Sequence, residues 1–363
     1  MMDRLPDRGG IAGLSPGARS RLARALRAED AAAPEDEELT GAGWTGAEGA
    51  LRPDAGLLFG CDVGGTKVQS VLCDLSGRVL AEARDATPRA EGEAVVEVIA
   101  RHLSTLSGDH PGAVLAAGIG LPGTIHPVTG RLSRAPNLPD LPGGDIRAAL
   151  TARLGLPVAV ENDVTLAALG ECWRGHGAGD RAVQQGGLAF IALGTGIGMG
   201  LAWGDRLLRG AHGAAGEIAW LPIGGDPADP QVRACGALES TVAGQALVES
   251  YRARGGTRPG SLRELSRDGA GDAALDAVLQ ELALRTARAV LSVEALLDPA
   301  LIVFGGGIGS DAALLPRIEA ELARISPAPS RCRISLLGNR AGALGAVRAA
   351  MLTLATRLEE PAA

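Results

Sequence analysis

The chain has 363 residues, 46% hydrophobic and 21% charged, which is enough for two substantial domains with buried cores. Its formal net charge of −7 argues against a surface built to track nucleic-acid phosphate, and its apolar stretches are broken by Gly, Asp or Arg well short of membrane-spanning length. Five cysteines, at 61, 73, 172, 235 and 332, show no CxxC pairing and an odd total, so they read as small core residues rather than a disulfide framework. With no charged-then-apolar signal segment at the start, the expected location is the cytoplasm.

In chain order, residues 1–55 are rich in Pro, Gly, Ala and charge, with an acidic run Glu35-Asp36-Glu37-Glu38. A Ser15-Pro16 start predicts one helix there through Arg19, Leu22, Leu26 and Arg27, and the remainder reads as linker or disorder. Three strands are predicted at 57–63, 68–73 and 78–84, then a helix at 92–107 with Val95, Val96, Ile99 and Leu103 at helical spacing. A strand at 114–120, a helix at 144–154, a strand at 157–160 and a helix at 164–173 follow. A second lobe begins near Gly187 with its own strand pair, helices at 243–254 and 273–297, and a strand at 300–304. A helix at 311–324, a strand at 333–337 and a terminal helix at 341–358 complete it. The alternation predicts an α/β protein: an extension over 1–55, an N-terminal lobe over 56–185 and a C-terminal lobe over 186–363, whose last helix is expected to pack back on the first lobe.

Two segments look like copies of one device, Leu57 to Lys67 and Leu188 to Gly198. Each is an apolar strand that breaks into a glycine and threonine turn, Gly64-Gly65-Thr66-Lys67 or Gly194-Thr195-Gly196, then resumes as a second strand. Without Cβ atoms, such turns let backbone N–H groups approach phosphate oxygens; the threonine hydroxyls add donors and Lys67 a point charge. An ordinary glycine-rich hairpin would explain either turn alone, but the pair points to two matching lobes facing one anion.

Seven segments in order, Asp62-Val63-Gly64-Gly65-Thr66-Lys67, Gly118-Ile119-Gly120-Leu121-Pro122-Gly123, Ala135-Pro136-Asn137-Leu138-Pro139, Glu161-Asn162-Asp163, Gly194-Thr195-Gly196-Ile197-Gly198, Gly213-Ala214-Ala215-Gly216-Glu217-Ile218 and Gly305-Gly306-Gly307-Ile308, resemble the ROK family. That family comprises bacterial sugar kinases, related repressors and uncharacterised reading frames, and the resemblance covers roughly 57–357. It implies the actin-like ATPase (ribonuclease H-like) fold, two lobes each with a mixed β-sheet flanked by helices. It also implies ATP and Mg²⁺ as cofactors, a small sugar as partner and a homodimer.

By that resemblance Asp163 is the catalytic carboxylate that takes the proton of the attacking sugar hydroxyl; its competing role is a helix N-cap. Asp62 resembles the residue that holds Mg²⁺, or it satisfies turn amides. Gly64, Gly65, Thr66, Lys67, Gly194, Thr195, Gly196 and the turn Gly305, Gly306, Gly307 would grip the nucleotide, although a strand-to-helix glycine turn also occurs without any ligand. Gly123, Asn137, Asn162, Glu217 and Glu239 would bind sugar hydroxyls; Asn137 and Asn162 also suit plain turns.

One departure concerns metal. Many relatives pair a Gly-Glu-Ile-Gly-His segment with a cysteine cluster as a structural zinc site, whereas this chain has Trp220 at the histidine position and a single Cys235, too few ligands for zinc. The leading expectation is an ATP-dependent sugar kinase, glucokinase-like, acting on a hexose or N-acetylhexosamine, with the lobes closing on the nucleotide. The competing one is a sugar-responsive regulator of the same family. Residues 1–55 supply one arginine-bearing helix, too little for an independent DNA reader, so no nucleic-acid partner and no membrane are expected.

Overall fold

A computed structural model describes residues 11–28, 36–46, 49–88, 92–110, 112–134, 145–267 and 271–360. Its strands are β1 (Leu57–Val63), β2 (Lys67–Asp74), β3 (Val79–Ala86), β4 (Val114–Leu121), β5 (Thr124–Ile125), β6 (Leu132–Ser133), β7 (Val158–Asn162), β8 (Leu188–Leu193), β9 (Ile197–Trp203), β10 (Arg206–Leu207), β11 (Leu301–Gly305) and β12 (Cys332–Ile334). Two compact units result. The first takes the described residues up to Gly170, with Ala211–Gly213 and those from Gly342 onward; the second takes Glu171–Gly210 and Ala214–Ala341. The expected boundary at 185/186 therefore moves to within the helix Asp163–Arg174.

In the first unit the sheet order is β3-β2-β1-β4-β7, with β1, β2 and β3 antiparallel and β4 and β7 parallel to β1. Side chains alternate across β1. Phe59, Cys61 and Val63 join the core with Val95 and Ile99 of the helix Gly92–Gly108. Gly60 and Asp62 lie on the opposite face, where the helix Ala341–Glu359 packs: a Cβ on Gly60 would sit 2.3 Å from the Ala343 carbonyl, and one on Gly118 of β4 would sit 1.8 Å from that of Ala346. Two glycines on adjacent strands thus let a helix backbone rest directly on the sheet.

The second unit repeats this plan as β10-β9-β8-β11-β12, again an antiparallel hairpin followed by parallel strands. Its core joins Ile191, Leu193, Met199, Ile302 and Phe304 to Leu282, Ala283 and Val290 of the helix Ala273–Leu297.

Before β1, the helix Pro16–Arg27 forms as the sequence predicts, with the Ser15 hydroxyl accepting the Ala18 N–H at 3.2 Å. The linker reading does not hold for the described residues that follow, because a second short helix, Glu37–Gly41, is capped by Asp36. Asp36 also pairs with Arg21, while Glu38 accepts the Ser15 hydroxyl at 2.6 Å. The first helix is anchored at its end by buried Arg348, which donates to the carbonyls of Leu26 at 2.8 Å and Arg27 at 3.0 Å. Among the described residues no helix is long and apolar enough to cross a membrane.

Candidate active site

The carboxyl ends of β1, β4 and β7 are in register, Asp62 opposite Gly120, Gly120 opposite Glu161 and Leu121 opposite Asn162. Strand ends of this kind are where open α/β sheets present side chains to ligands. Gly120 is the floor: a Cβ there would lie 3.3 Å from the Asp163 Cα and 3.4 Å from Asp62 Oδ1. Asp62 and Asp163 therefore flank one glycine. The Asp62 carboxyl also lies over Gly342, whose missing Cβ would fall 2.6 Å from its Cγ.

Burial, and then the neighbouring Asp163 charge, raise the Asp62 pKa to about 7 against the pull of Lys67. A half-buried carboxylate beside a second one invites a hard cation, so the donor set fits Mg²⁺. Among the described residues no three His, Cys, Asp or Glu side chains converge on a metal. Mg²⁺ held by one or two carboxylates together with phosphate oxygens and water requires no such cage.

The helix after β7 is capped by Asn162, whose Oδ1 accepts the Thr165 N–H at 3.0 Å while its Nδ2 donates to the Gly123 carbonyl at 3.1 Å. Asp163 Oδ1 accepts the N–H of the adjacent Val164 at 2.9 Å. The capping role open to Asp163 from sequence thus falls to Asn162, and Gly123, at φ +109°, is drawn into the same knot.

The first turn, Gly64 to Lys67, closes with the Gly64 N–H donating to the Lys67 carbonyl at 2.8 Å, and Gly65 and Thr66 are exposed. Lys67 Nζ donates to Gln69 at 3.2 Å. In the second unit the Gly194 N–H donates to the Gly196 carbonyl at 2.9 Å, and Thr195 is exposed. Glu239 sits against this turn and accepts the Ile197 N–H at 3.0 Å; burial and the Glu217 charge nearby raise its pKa. The predicted sugar residue Glu239 is thus bound to the second glycine turn. Gly306, at φ +81°, passes so close to the Leu193 carbonyl that a Cβ would sit 2.4 Å away, which brings the Gly305-Gly306-Gly307 turn beside Gly194.

Asn137 lies outside the described residues. Trp220 is 42% exposed, Cys235 is exposed at the end of the helix Pro230–Cys235, and the His212 ring centroid is 6.0 Å from that of His126. Sequence reasoning missed Gly120, Gly342 and Thr87. The first belongs to a quoted motif, but only the register shows that it separates the acids.

A profile of the ROK family matches residues 58–352. A glucokinase of Halalkalibacterium halodurans is 32% identical over 313 residues, spanning 79% of this chain and 92% of that protein. Among solved structures, a ROK family glucokinase from Streptomyces griseus in complex with glucose and AMPPNP is 30% identical, with a TM-score of 0.67 over 81% of this chain and 99% of that one. A ROK family transcriptional regulator, a homologue of the E. coli MLC protein, is alike in fold at 21% identity, with a TM-score of 0.73 over 97% of this chain and 93% of its own. With two mixed sheets of one strand order, the actin-like ATPase fold and a family match over most of its length, the chain belongs to the ROK family.

Proposed function

We propose that this chain is an ATP-dependent sugar kinase of the glucokinase kind, transferring the γ-phosphoryl group of ATP to a hydroxyl of a hexose or N-acetylhexosamine. The observation that carries the reading is the division of labour at the end of β7, where Asn162 caps the helix and Asp163 stands beside Asp62 across Gly120. Similarity to two glucokinases at 30–32% identity supports the acceptor class.

In this reading Asp163 accepts the proton of the sugar hydroxyl as its oxygen bonds to the γ-phosphorus; the bond from that phosphorus to the bridging oxygen breaks and ADP leaves. Asp62 would hold Mg²⁺, which when bound neutralises charge on the phosphates. Gly64, Gly65, Thr66, Lys67, Gly194, Thr195 and Gly196 supply phosphate donors, and Gly305, Gly306 and Gly307 lie against adenosine. Gly123, Asn137, Asn162, Glu217 and Glu239 orient the sugar. The reading carries a cytoplasmic homodimer, which light scattering on the eluting protein tests.

The decisive experiment measures ADP release against a panel of hexoses and N-acetylhexosamines, with Asp163→Asn as control. Sugar-dependent turnover lost in the variant upholds the reading; equal turnover in both proteins overturns it. A second reading, a sugar-responsive regulator, draws on the fold likeness that reaches 97% of the chain, and on the helices that precede β1. It predicts sugar binding without turnover and salt-sensitive retention on DNA.

A further inference from the structure

We propose that Thr87 is a positioning residue for the nucleotide. It presets the first glycine turn by holding its carbonyls inward, and the hydrogen-bonded chain Ser70–His102–Asp85, buried at Ser70 and His102, keeps its strand in place. The inference rests on the kinase reading for the identity of the ligand.

A turn offers N–H groups to phosphate only when its carbonyls point elsewhere. Thr87 takes two of them: its hydroxyl donates to the Gly64 carbonyl at 2.7 Å, and its N–H donates to the Thr66 carbonyl at 3.2 Å. In a trans peptide, C=O and N–H point in opposite directions. The N–H groups of Gly65 and Lys67 share planes with those two carbonyls and so face away from Thr87. The sequence prepares this geometry locally, because Pro88 disfavours a helical conformation at the residue before it and biases Thr87 to an extended one.

Thr87 follows β3 directly, and β3 is tied down two residues earlier. His102, on the helix Gly92–Gly108, places Nε2 3.1 Å from Asp85 of β3 and Nδ1 2.8 Å from the Ser70 hydroxyl of β2. Arg101 adds a second bond to Asp85. The order Ser, His, Asp is that of a hydrolytic triad, but Ser70 is 0% exposed and no substrate reaches it. Its hydroxyl instead fastens β2, and through the imidazole β3, to one helix.

The second turn has the same construction from different parts. The Gly194 carbonyl accepts the Gly244 N–H at 3.0 Å, as the Gly64 carbonyl accepts the Thr87 hydroxyl, and each first glycine donates back across its own turn. Two unlike donors, one hydroxyl and one amide, hold the same atom of both turns. This repetition is expected if the outward amide of the next residue, Gly65 or Thr195, does the binding.

The test compares wild type, Thr87→Val and Thr87→Ser by calorimetric titration with MgATP, by steady-state kinetics, and by hydrogen–deuterium exchange over residues 63–67. Thr87→Val removes the hydroxyl at nearly constant shape, so the Kd for MgATP and the KM for ATP should rise about tenfold, the worth of one hydrogen bond. The KM for sugar and kcat should stay within about twofold, Thr87→Ser should restore ATP affinity, and exchange over 63–67 should rise in the valine variant alone. Unchanged ATP affinity in Thr87→Val, a lowered Tm with no shift in ATP affinity, or failure of serine to restore would each overturn the proposal. Wild-type protein that neither binds nor consumes ATP would overturn the kinase reading instead, and exchange over 63–67 would then decide whether Thr87 sets the turn.

Discussion

Replacing Asp62 by Asn should make the first unit more stable and the enzyme inactive, with a gain in stability that depends on pH. The Asp62 pKa lies near 7 against an ordinary 3.8, chiefly through burial and then through Asp163. An acid raised on folding contributes stability that is fully present below its unfolded pKa and is lost as pH rises through the folded one. The interval from 3.8 to about 7 bounds the loss at about 4 kcal/mol by pH 8, and most of it accrues between pH 4 and 7. Asn, neutral throughout, escapes that loss. At about 2–4 °C per kcal/mol, Asp62→Asn should raise Tm by at most about 8–16 °C at pH 8 and by less than about 2 °C at pH 4. Scanning calorimetry from pH 4 to 8, with and without millimolar Mg²⁺, reads this directly, and Mg²⁺ should narrow the gap by stabilising the wild type alone. A gap that is constant across pH, or a variant less stable than wild type at pH 8, would refute the account of Asp62 as a strained acid awaiting a cation.

Gly118→Ala would drive a methyl against the Ala346 carbonyl at 1.8 Å, backbone against backbone, so relief requires the terminal helix to move; urea unfolding should show a loss of about 1–3 kcal/mol and ADP release should fall because Gly342 moves away from Asp62. Arg348→Met removes both bonds to the end of the helix Pro16–Arg27, worth about 1.5–3 kcal/mol together, and should speed tryptic cleavage at Arg24 and Arg27 about tenfold. Glu239→Gln keeps an acceptor for the Ile197 N–H and removes a charge facing Glu217, so its Tm at pH 8 should equal or exceed that of wild type, whereas Glu239→Ala should fall below both.

Apolar runs ended by glycine made the strands legible almost to the residue, because in both sheets each hairpin turn coincides with a break in hydrophobicity. The strand expected to reach 337 stops at Ile334, and the helix expected from 311 starts at Leu315, next to Pro316, as a first-turn proline favours. The helix Glu37–Gly41 escaped notice because no apolar period marks it. Its support is polar and distant in sequence, from Arg21 to Asp36 and from Ser15 to Glu38. The return of the chain from Gly342 onward to the first unit agrees with the expectation for the last helix, whereas the division between units falls inside the helix Asp163–Arg174, where no break in composition marks it. At the site, residue types were legible but competition between neighbours was not. Asn162 and Asp163 both suit a helix cap, and the contact of Asn162 with the Gly123 carbonyl, far away in sequence, fixes which one takes it. Thr87 was invisible because its partner turn lies on another strand pair.

The two sheets share one strand order but place opposite chemistry at matching positions. Counting back from the first glycine of each turn, Asp62 of β1 corresponds to Ala192 of β8, and Gly60 to Phe190. The partner of Asp62 on β4 is Gly120, and the partner of Ala192 on β11 is Gly305. In the first unit, then, a glycine lies between two acids, which on the kinase reading leaves room for a cation and a transferred proton. In the second, the Phe190 ring fills the space over Gly305, where a Cβ would sit 2.2 Å from Cζ, and the turn above has glycine amides and no acid at the Asp62 position. A repeated hairpin that kept the same residues would place carboxylates under both turns and repel any polyanion twice. On the kinase reading the paired acids Asp62 and Asp163 belong to the first sheet alone, while the acid at the second turn, Glu239, is tied to the Ile197 N–H; Ala192→Asp would add a carboxylate beneath that turn, and MgATP affinity should drop by about tenfold or more, while the pH dependence set by Asp62 remains.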